Sequence, residues 1–405
     1  MTQIKFTQGG ICAPLGFKAS GISAGLKKSL KPDLALIYSE VPACAAGVYT
    51  KNIIKAAPLL LTRTNVKNGK LQAIITNSGN ANSCTGKTGE YHAYQTANEL
   101  AKQLKIETNL IAVSSTGVIG VQLPIDKLLN GIPLLVTNLN NDSSHILAKA
   151  ILTTDTFIKE SAVEITLSDG EIVKIGGVAK GSGMIHPNMA TMLAYITTDI
   201  NIDQKILKKA LTLAVNESFN MISVDGDSST NDMALIMANG YANNSKITLL
   251  KDPDYKIFYQ GLLSLCIDLA KQIAKDGEGA SKLITVNVTN AKTNEDAKKI
   301  AKSIVSSSLF KSAIFGNDAN WGRIACATGY ADAYINLNKL QISIAQLILF
   351  EKGTPVAFDE NIAFRLLDKP EITINVDLGI GNKSATAWGC DLTYDYIKIN
   401  ASYRT

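Results

Sequence analysis

The sequence predicts an α+β fold, with strands and helices layered on one another and not strictly alternating. Three observations point there. Apolar runs of strand length (33–39, 71–76 and a group after 371) and stretches of helical spacing (88–104, 203–219, 254–275, 293–306) follow in no fixed order, whereas a doubly wound parallel sheet needs regular alternation. Hydrophobic residues make up 46% of the chain and charged residues 19%, the balance of an ordinary globular protein. A chain of 405 residues holds two core-bearing units, or one large layered domain with an addition.

In order along the chain, DLALIYS (33–39) and LQAIIT (71–76) are short apolar runs that read as buried strands. In 88–104, Tyr91, Tyr94, Leu100 and Leu104 recur at helical spacing. Val163 to Leu167 and Glu171 to Ile175 flank Asp169-Gly170, the signal of a two-residue hairpin loop. Asp203 is placed to cap a helix running to Phe219, with Ile206, Leu207, Ala210, Leu213 and Ala214 on its apolar face. Helices over 254–275 and 293–306 follow, and 372–379, 384–393 and 395–401 read as strands. No solenoid-length repeat is visible, although Thr-Thr-Asp recurs at 153–155 and 197–199.

The net charge is +5, with acids and bases interspersed, so no basic block invites nucleic acid or an anionic membrane. MTQIKFTQGG has no apolar signal region, and the longest apolar runs are too short to span a bilayer. The expected setting is the cytoplasm. Cys12, Cys44, Cys84, Cys266, Cys326 and Cys390 are far apart, with no CxxC and no histidine at ligand spacing. They read as buried thiols, neither disulfides nor a metal site.

The stretch the chain is organised around is IGGVAKGSGMIHPNMATMLAYITTD (175–199). A glycine-dense loop carrying Lys180 leads through His186 to Thr191, and the apolar run from Met192 to Ile196 follows. A hydroxyl thus sits where flexible chain meets buried chain. Thr is a poor nucleophile without a nearby base, and cutting the chain just before it supplies one, its own α-amine. Read locally, the same stretch also suits a glycine-rich turn into a core strand.

KGSGMIHPNMATML resembles the self-cleavage site of the ornithine acetyltransferase family, also called the glutamate N-acetyltransferases. GFKASGISAG (16–25), PACAAGVYTKN (42–52), TNSGNANSCTG (76–86), SSTGVIG (114–120), ILTTDT (151–156), DGEGASK (276–282), NWGRI (320–324) and ATAWGCDLTYDYIKINASYRT (385–405) resemble the same family in the same order. The resemblance implies a layered αββα-like sandwich of the self-processing Thr-nucleophile (DmpA-like) type, with a smaller C-terminal α/β part. It implies cleavage between Ala190 and Thr191, giving chains 1–190 and 191–405 that assemble as an α2β2 heterotetramer. Thr191 becomes the nucleophile, and Thr116 and Gly117 form the oxyanion hole. Lys180, Thr153 or Thr154, Glu278, Asn400 and the terminal Thr405 join Thr191 in contacting substrate. The reaction implied is acetyl transfer from N-acetylornithine to glutamate, with acetyl-CoA as a possible co-substrate and with no cofactor or metal. His186 reads as a loop residue, and His92 and His145 as structural residues on helices.

Other readings stand beside this one. ANSCTGKT (81–88) fits a relaxed phosphate-loop pattern between strand and helix, but lacks the strict first glycine. A self-processing amidase or aminopeptidase would use the same terminal Thr and let water take the acyl group. A non-catalytic amino-acid-binding protein would keep the fold and remain uncut.

Overall fold

A computed structural model describes residues 4–186 and 192–402, and divides the chain into two compact units. The first comprises Met1–Gly181, Asn188–Asn216 and Ser228–Leu269; the second comprises Ser182–Pro187, Glu217–Asp227 and Ala270–Thr405. In chain order the strands begin β1 (Ile4–Thr7), β2 (Phe17–Ile22), β3 (Leu34–Tyr49), β4 (Lys70–Asn80), β5 (Ile111–Val118), β6 (Lys159–Thr166), β7 (Ile172–Lys180) and β8 (Leu193–Thr198). They continue as β9 (Ile222–Ser223), β10 (Met233–Ala238), β11 (Leu283–Ala291), β12 (Gln341–Ile344), β13 (Leu347–Glu351), β14 (Thr354–Pro355), β15 (Glu371–Asp377) and β16 (Lys383–Cys390).

In the first unit a nine-stranded mixed sheet runs β1-β6-β7-β8-β10-β3-β4-β5, with β2 also on β3. β3 is sixteen residues long, and its register with β4 breaks between Tyr38 and Ala43. Its first half pairs with β2 and its last part with β10, so the sheet doubles over into two layers. One apolar core lies between them: Phe17, Ile37, Ile74 and Ala112 from one layer meet Val178, Leu193, Tyr195, Met233 and Leu235 from the other. Thr76 Oγ1 donates to the Tyr195 hydroxyl at 2.8 Å across this core. Helices Gly86–Leu104 and Ile125–Thr137 cover one outer face through Ala97, Leu100, Leu128 and Ile132. On the other outer face, Gly261, Leu265 and Leu269 of helix Pro253–Lys275 lie against Ile165, Ile175 and Gly177. The expected α+β sandwich is present.

The second, smaller unit carries a seven-stranded sheet ordered β14-β13-β12-β15-β11-β16-β9. Helix Asn294–Ser306 is N-capped by Thr293, whose side chain accepts the Asp296 N–H. It buries Ala297, Ile300, Ala301, Ile304 and Val305, the apolar stripe of an amphipathic helix.

Several local expectations are corrected. Residues 395–401 are not a strand: helix Tyr394–Ala401 forms there. Thr393 Oγ1 accepts the Asp395 N–H and starts it, so the cap outweighs a weak apolar alternation. The hairpin loop has three residues, 168–170, because the Leu167 N–H pairs with the Glu171 carbonyl and Gly170 takes the left-handed position at φ +92°. Tyr91 and Tyr94 are exposed, while Gly89, Ala93, Thr96 and Ala97 form the buried stripe of their helix. The helix after Asp203 ends at Glu217, and its buried face includes Leu211 and Val215 in place of Ile206 and Leu213. Of the cysteines expected to be buried, Cys84 and Cys326 are exposed, and Cys12 and Cys44 are partly so; all six are free thiols.

Candidate active site

β7 delivers Lys180 at its last position, in the row Lys180–Leu193–Met233–Tyr49 across β8, β10 and β3. Alternation along β7 puts Lys180 on the face of Val178, toward the inner core. Its ammonium donates to Thr153 Oγ1 at 2.8 Å and to Thr116 Oγ1 at 3.4 Å. Lys180, Thr116 and Thr153, far apart in sequence, are therefore brought together. Thr153, not Thr154, is the member of that pair bonded to Lys180. Ala190, Thr191 and Thr405 lie outside the described residues.

Asp155 organises this end of the first unit. Its carboxylate is 2.7 Å from the Lys159 ammonium and accepts the N–H groups of Gly181 at 2.8 Å and Thr153 at 2.9 Å. Burial pushes its carboxyl up, but the charges of Lys180 and Lys159 outweigh that and hold it well below the usual range. Thr116 ends the buried part of β5, and the next residue, the partly buried Gly117, faces Gly79 of β4. A Cβ at Gly117 would lie 2.3 Å from the Gly79 carbonyl carbon, and φ is +133°. Only glycine fits there, which brings a backbone N–H close to whatever occupies the site.

Two neighbours had no signal in the sequence. Asn231 is buried, and its Nδ2 donates to the carbonyls of Ala81 at 2.6 Å and Ser115 at 2.8 Å. Thr230 Oγ1 donates to its Oδ1 at 2.6 Å. The stretch before β10 is thereby tied to the peptide preceding Thr116. Asp232 is buried, among the described residues its Oδ2 has no hydrogen-bond partner, and burial pushes its carboxyl well above the usual range despite a hydrogen bond from Ser229. One residue on, the Met233 N–H donates to the Met192 carbonyl at 3.0 Å.

The second unit, taken by itself, holds a further group of predicted site residues. Glu278 is buried, its N–H donates to the Ser182 carbonyl at 3.1 Å, and its Oε2 accepts from Asn400 Nδ2 at 2.8 Å. The carboxylate lies over Gly183, where a Cβ would be 2.3 Å from Glu278 Cδ. Asp225 accepts the N–H groups of Met184 at 2.6 Å and Ile185 at 2.8 Å. His186, expected to be a plain loop residue, has Nδ1 3.0 Å from Ser223 Oγ and 3.3 Å from Ser306 Oγ. Burial, helped by the charge of Lys302, lowers it to about 4, so it is neutral at pH 7. His92 and His145 lie on helices Gly86–Leu104 and Ser144–Ala150. In the ANSCTGKT loop, Asn80 and Thr85 bond to Asn82 and set the turn, while Lys87 is exposed on the helix. Among the described residues no group of three or more His, Cys, Asp or Glu could hold a metal ion. No helix among them is long and apolar enough to cross a membrane.

Hydroxyl donors and a glycine N–H beside a lysine at one end of a doubled sheet are the equipment of an acyl-transfer enzyme. Residues 18–405 match the ArgJ family model. The arginine biosynthesis bifunctional protein ArgJ of Symbiobacterium thermophilum is 49% identical over 404 residues, 99% of this chain and 100% of that protein. The protein of the same name from Staphylococcus epidermidis is 52% identical over 400 residues, 98% of this chain and 99% of its own. A crystal structure of the arginine biosynthesis bifunctional protein argJ from Bacillus halodurans is similar at 49% identity and a TM-score of 0.50, covering 52% of this chain and 98% of that one. The chain belongs to the ArgJ family.

Proposed function

We propose that this protein is a self-cleaving acetyltransferase that moves the acetyl group of N2-acetyl-L-ornithine to L-glutamate, the recycling step of cyclic arginine biosynthesis. Thr191 Oγ attacks the Ala190 carbonyl carbon, the peptide nitrogen leaves as the α-amine of Thr191, and water opens the resulting ester. Chains 1–190 and 191–405 remain together. The α-amine, whose ordinary pKa is about 7.7–8.0, has a sizeable neutral fraction between about pH 7 and 8 and takes the hydroxyl proton as Oγ attacks the acetyl carbon. The oxyanion receives the Thr116 hydroxyl and the Gly117 N–H. Ornithine leaves with a proton, and the amine of glutamate then takes the acetyl group from the Thr191 ester. Lys180 and Thr153 serve a substrate carboxylate, Glu278 the distal ammonium of the donor, and Asn400 and Thr405 are further substrate contacts.

The observation that carries this reading is family membership from residue 18 to the end, supported by the convergence of Thr116, Thr153 and Lys180. A two-chain product is supported by the Bacillus halodurans chain, nearly all of which matches only 52% of this one. The acyl group travels on Thr191, so the reading needs no cofactor. The relatives are named bifunctional, and acetyl-CoA is the second donor to assay. The reading includes an α2β2 assembly in the cytoplasm.

A denaturing gel with mass analysis tests it. Two fragments meeting at Ala190/Thr191, and an acetyl ester on the Thr191 fragment after N-acetylornithine, are expected; one uncut, active chain overturns it. Acetate released equally fast without glutamate would favour the amidase.

A further inference from the structure

Lys27 lies on the loop between β2 and β3 and took no part in the sequence argument. Fully buried Asp33 fixes that loop, its carboxylate accepting the N–H groups of Ala24 at 2.6 Å, Leu26 at 2.6 Å and Lys27 at 2.9 Å. The loop is held by Asp33, so its shape does not depend on the Lys27 charge. Among the described residues the half-buried Lys27 ammonium donates only to the Pro32 carbonyl, at 2.9 Å. Among the described residues no carboxylate lies within ion-pair distance of it, and an ammonium has two further donors to offer. Its stem runs over Gly79, where a Cβ would be 3.1 Å from Lys27 Cγ, and Gly79 is the residue against which Gly117 packs. Lys27, Gly79 and Gly117 therefore follow one another in direct contact. Burial lowers the Lys27 ammonium to about 8, with Asp33, Asp155 and Lys180 all close enough to act on it.

Among the described residues Lys180 is likewise bonded to two neutral hydroxyls and in ion-pair contact with no carboxylate. Asp155 acts on both ammoniums and Asp33 on Lys27, but among the described residues neither ammonium has a carboxylate in ion-pair contact, and a ligand with two carboxylates supplies that contact to both.

We propose that Lys27 and Lys180 together hold the two carboxylates of the acetyl acceptor, with Lys27 on the side-chain carboxylate, so that Lys27 selects glutamate over uncharged analogues. This rests on the acetyltransferase reading above. Glutamine, differing from glutamate only at that carboxylate, is the control. In Lys27→Met the preference for glutamate over glutamine, read as the ratio of kcat/KM values with N-acetylornithine as donor, should fall about ten- to a hundredfold, the worth of one charged hydrogen bond. Lys27→Arg should keep most of it. An unchanged ratio in Lys27→Met overturns the assignment. In the wild-type enzyme, Lys27 labelling by an amine-acylating reagent, followed by peptide mass, should be suppressed by glutamate and not by glutamine. Equal labelling in both, or protection by acetyl-CoA alone, also overturns it. If the wild type transfers no acetyl group to glutamate, the acetyltransferase reading fails and takes this one with it. If transfer stands and the ratio is unmoved, Lys27 alone loses its role.

Discussion

Replacing Asp155 by asparagine asks whether one carboxylate holds the charged end of the site together. The side chains of Asp155 and Lys159 are both 0% exposed and 2.7 Å apart. The same carboxylate accepts the Gly181 and Thr153 N–H groups. Asparagine keeps the shape, so no cavity opens. Its single carbonyl oxygen can serve the Gly181–Lys159 side, and its amide NH2 is then turned against the Thr153 N–H, donor to donor. Lys159 is left charged and buried. Removing one member of a buried pair costs about 3–5 kcal/mol. At about 2–4 °C per kcal/mol for a unit of this size, Tm should drop by roughly 6–20 °C. Scanning calorimetry at pH 7 reads the loss. Asp155→Asn/Lys159→Met should recover part of it, because both charges then leave together. The pH dependence fixes the sign: the carboxyl is held below its unfolded value, so its contribution is present above about pH 4 and is lost as pH falls further. The difference between wild type and variant should therefore close on acidification. A single variant whose Tm stays within about 2 °C of wild type would refute the argument.

Thr116→Ala should lower kcat by about 10²–10³ while leaving a folded protein; stopped assays and circular dichroism check the two halves of that statement. Asn231→Ala should slow turnover on its own and add little on a Thr116→Ala background, since it acts through the Ser115–Thr116 peptide; additive losses would make it a packing residue. Asp232→Asn should stabilise the protein relative to wild type increasingly as pH rises. The wild-type carboxyl is held above its unfolded value, and its contribution is lost as pH climbs through the folded value; urea midpoints at several pH values measure this. Deleting residues 400–405 removes the Asn400 amide from Glu278 and should abolish transfer without unfolding the chain, read by activity and Tm.

Much of the fold was legible because long periodic segments and their caps are local. The helices at 254–275 and 293–306 came out within a residue or so. Where two local signals competed the weaker one misled, as in 395–401, where a Thr cap outranked alternating apolar residues on a segment with nothing buried. Leu100, Leu207, Ala210 and Ala214 were read on the right faces. Tyr91 and Tyr94 misled because the buried stripe of their helix is built of the small Gly89, Ala93 and Ala97, and Ile206 and Leu213 because the face of theirs is turned toward Leu211 and Val215. Thr116, Gly117, Lys180 and Glu278 were singled out in the sequence, but the bond between Lys180 and Thr116 could not be read there. Asp155, Asn231, Asp232 and Lys27 carry no motif of their own. Their importance comes from partners 4 to 150 residues away, which no local pattern records.

The doubled sheet explains why these groups converge. Lys180 leaves the end of β7, and Thr116 ends the buried part of β5, in opposite layers of one core. A flat sheet in that strand order would hold β7 and β5 at opposite flanks, with five strand spacings of about 4.8 Å between them, far beyond the reach of a lysine. The register break in β3 folds the layers together, and the Thr76–Tyr195 bond spans the core between them. Lys180 can then reach Thr116. The same closure brings the charges of Lys159 and Lys180 to Asp155, and Asp155 and Asp33 act on Lys27, a cluster of partly desolvated charges that is costly unless each is compensated. In the proposed reading the core elsewhere supplies the stability that such a cluster costs, and the carboxylates of the acceptor complete its charge balance.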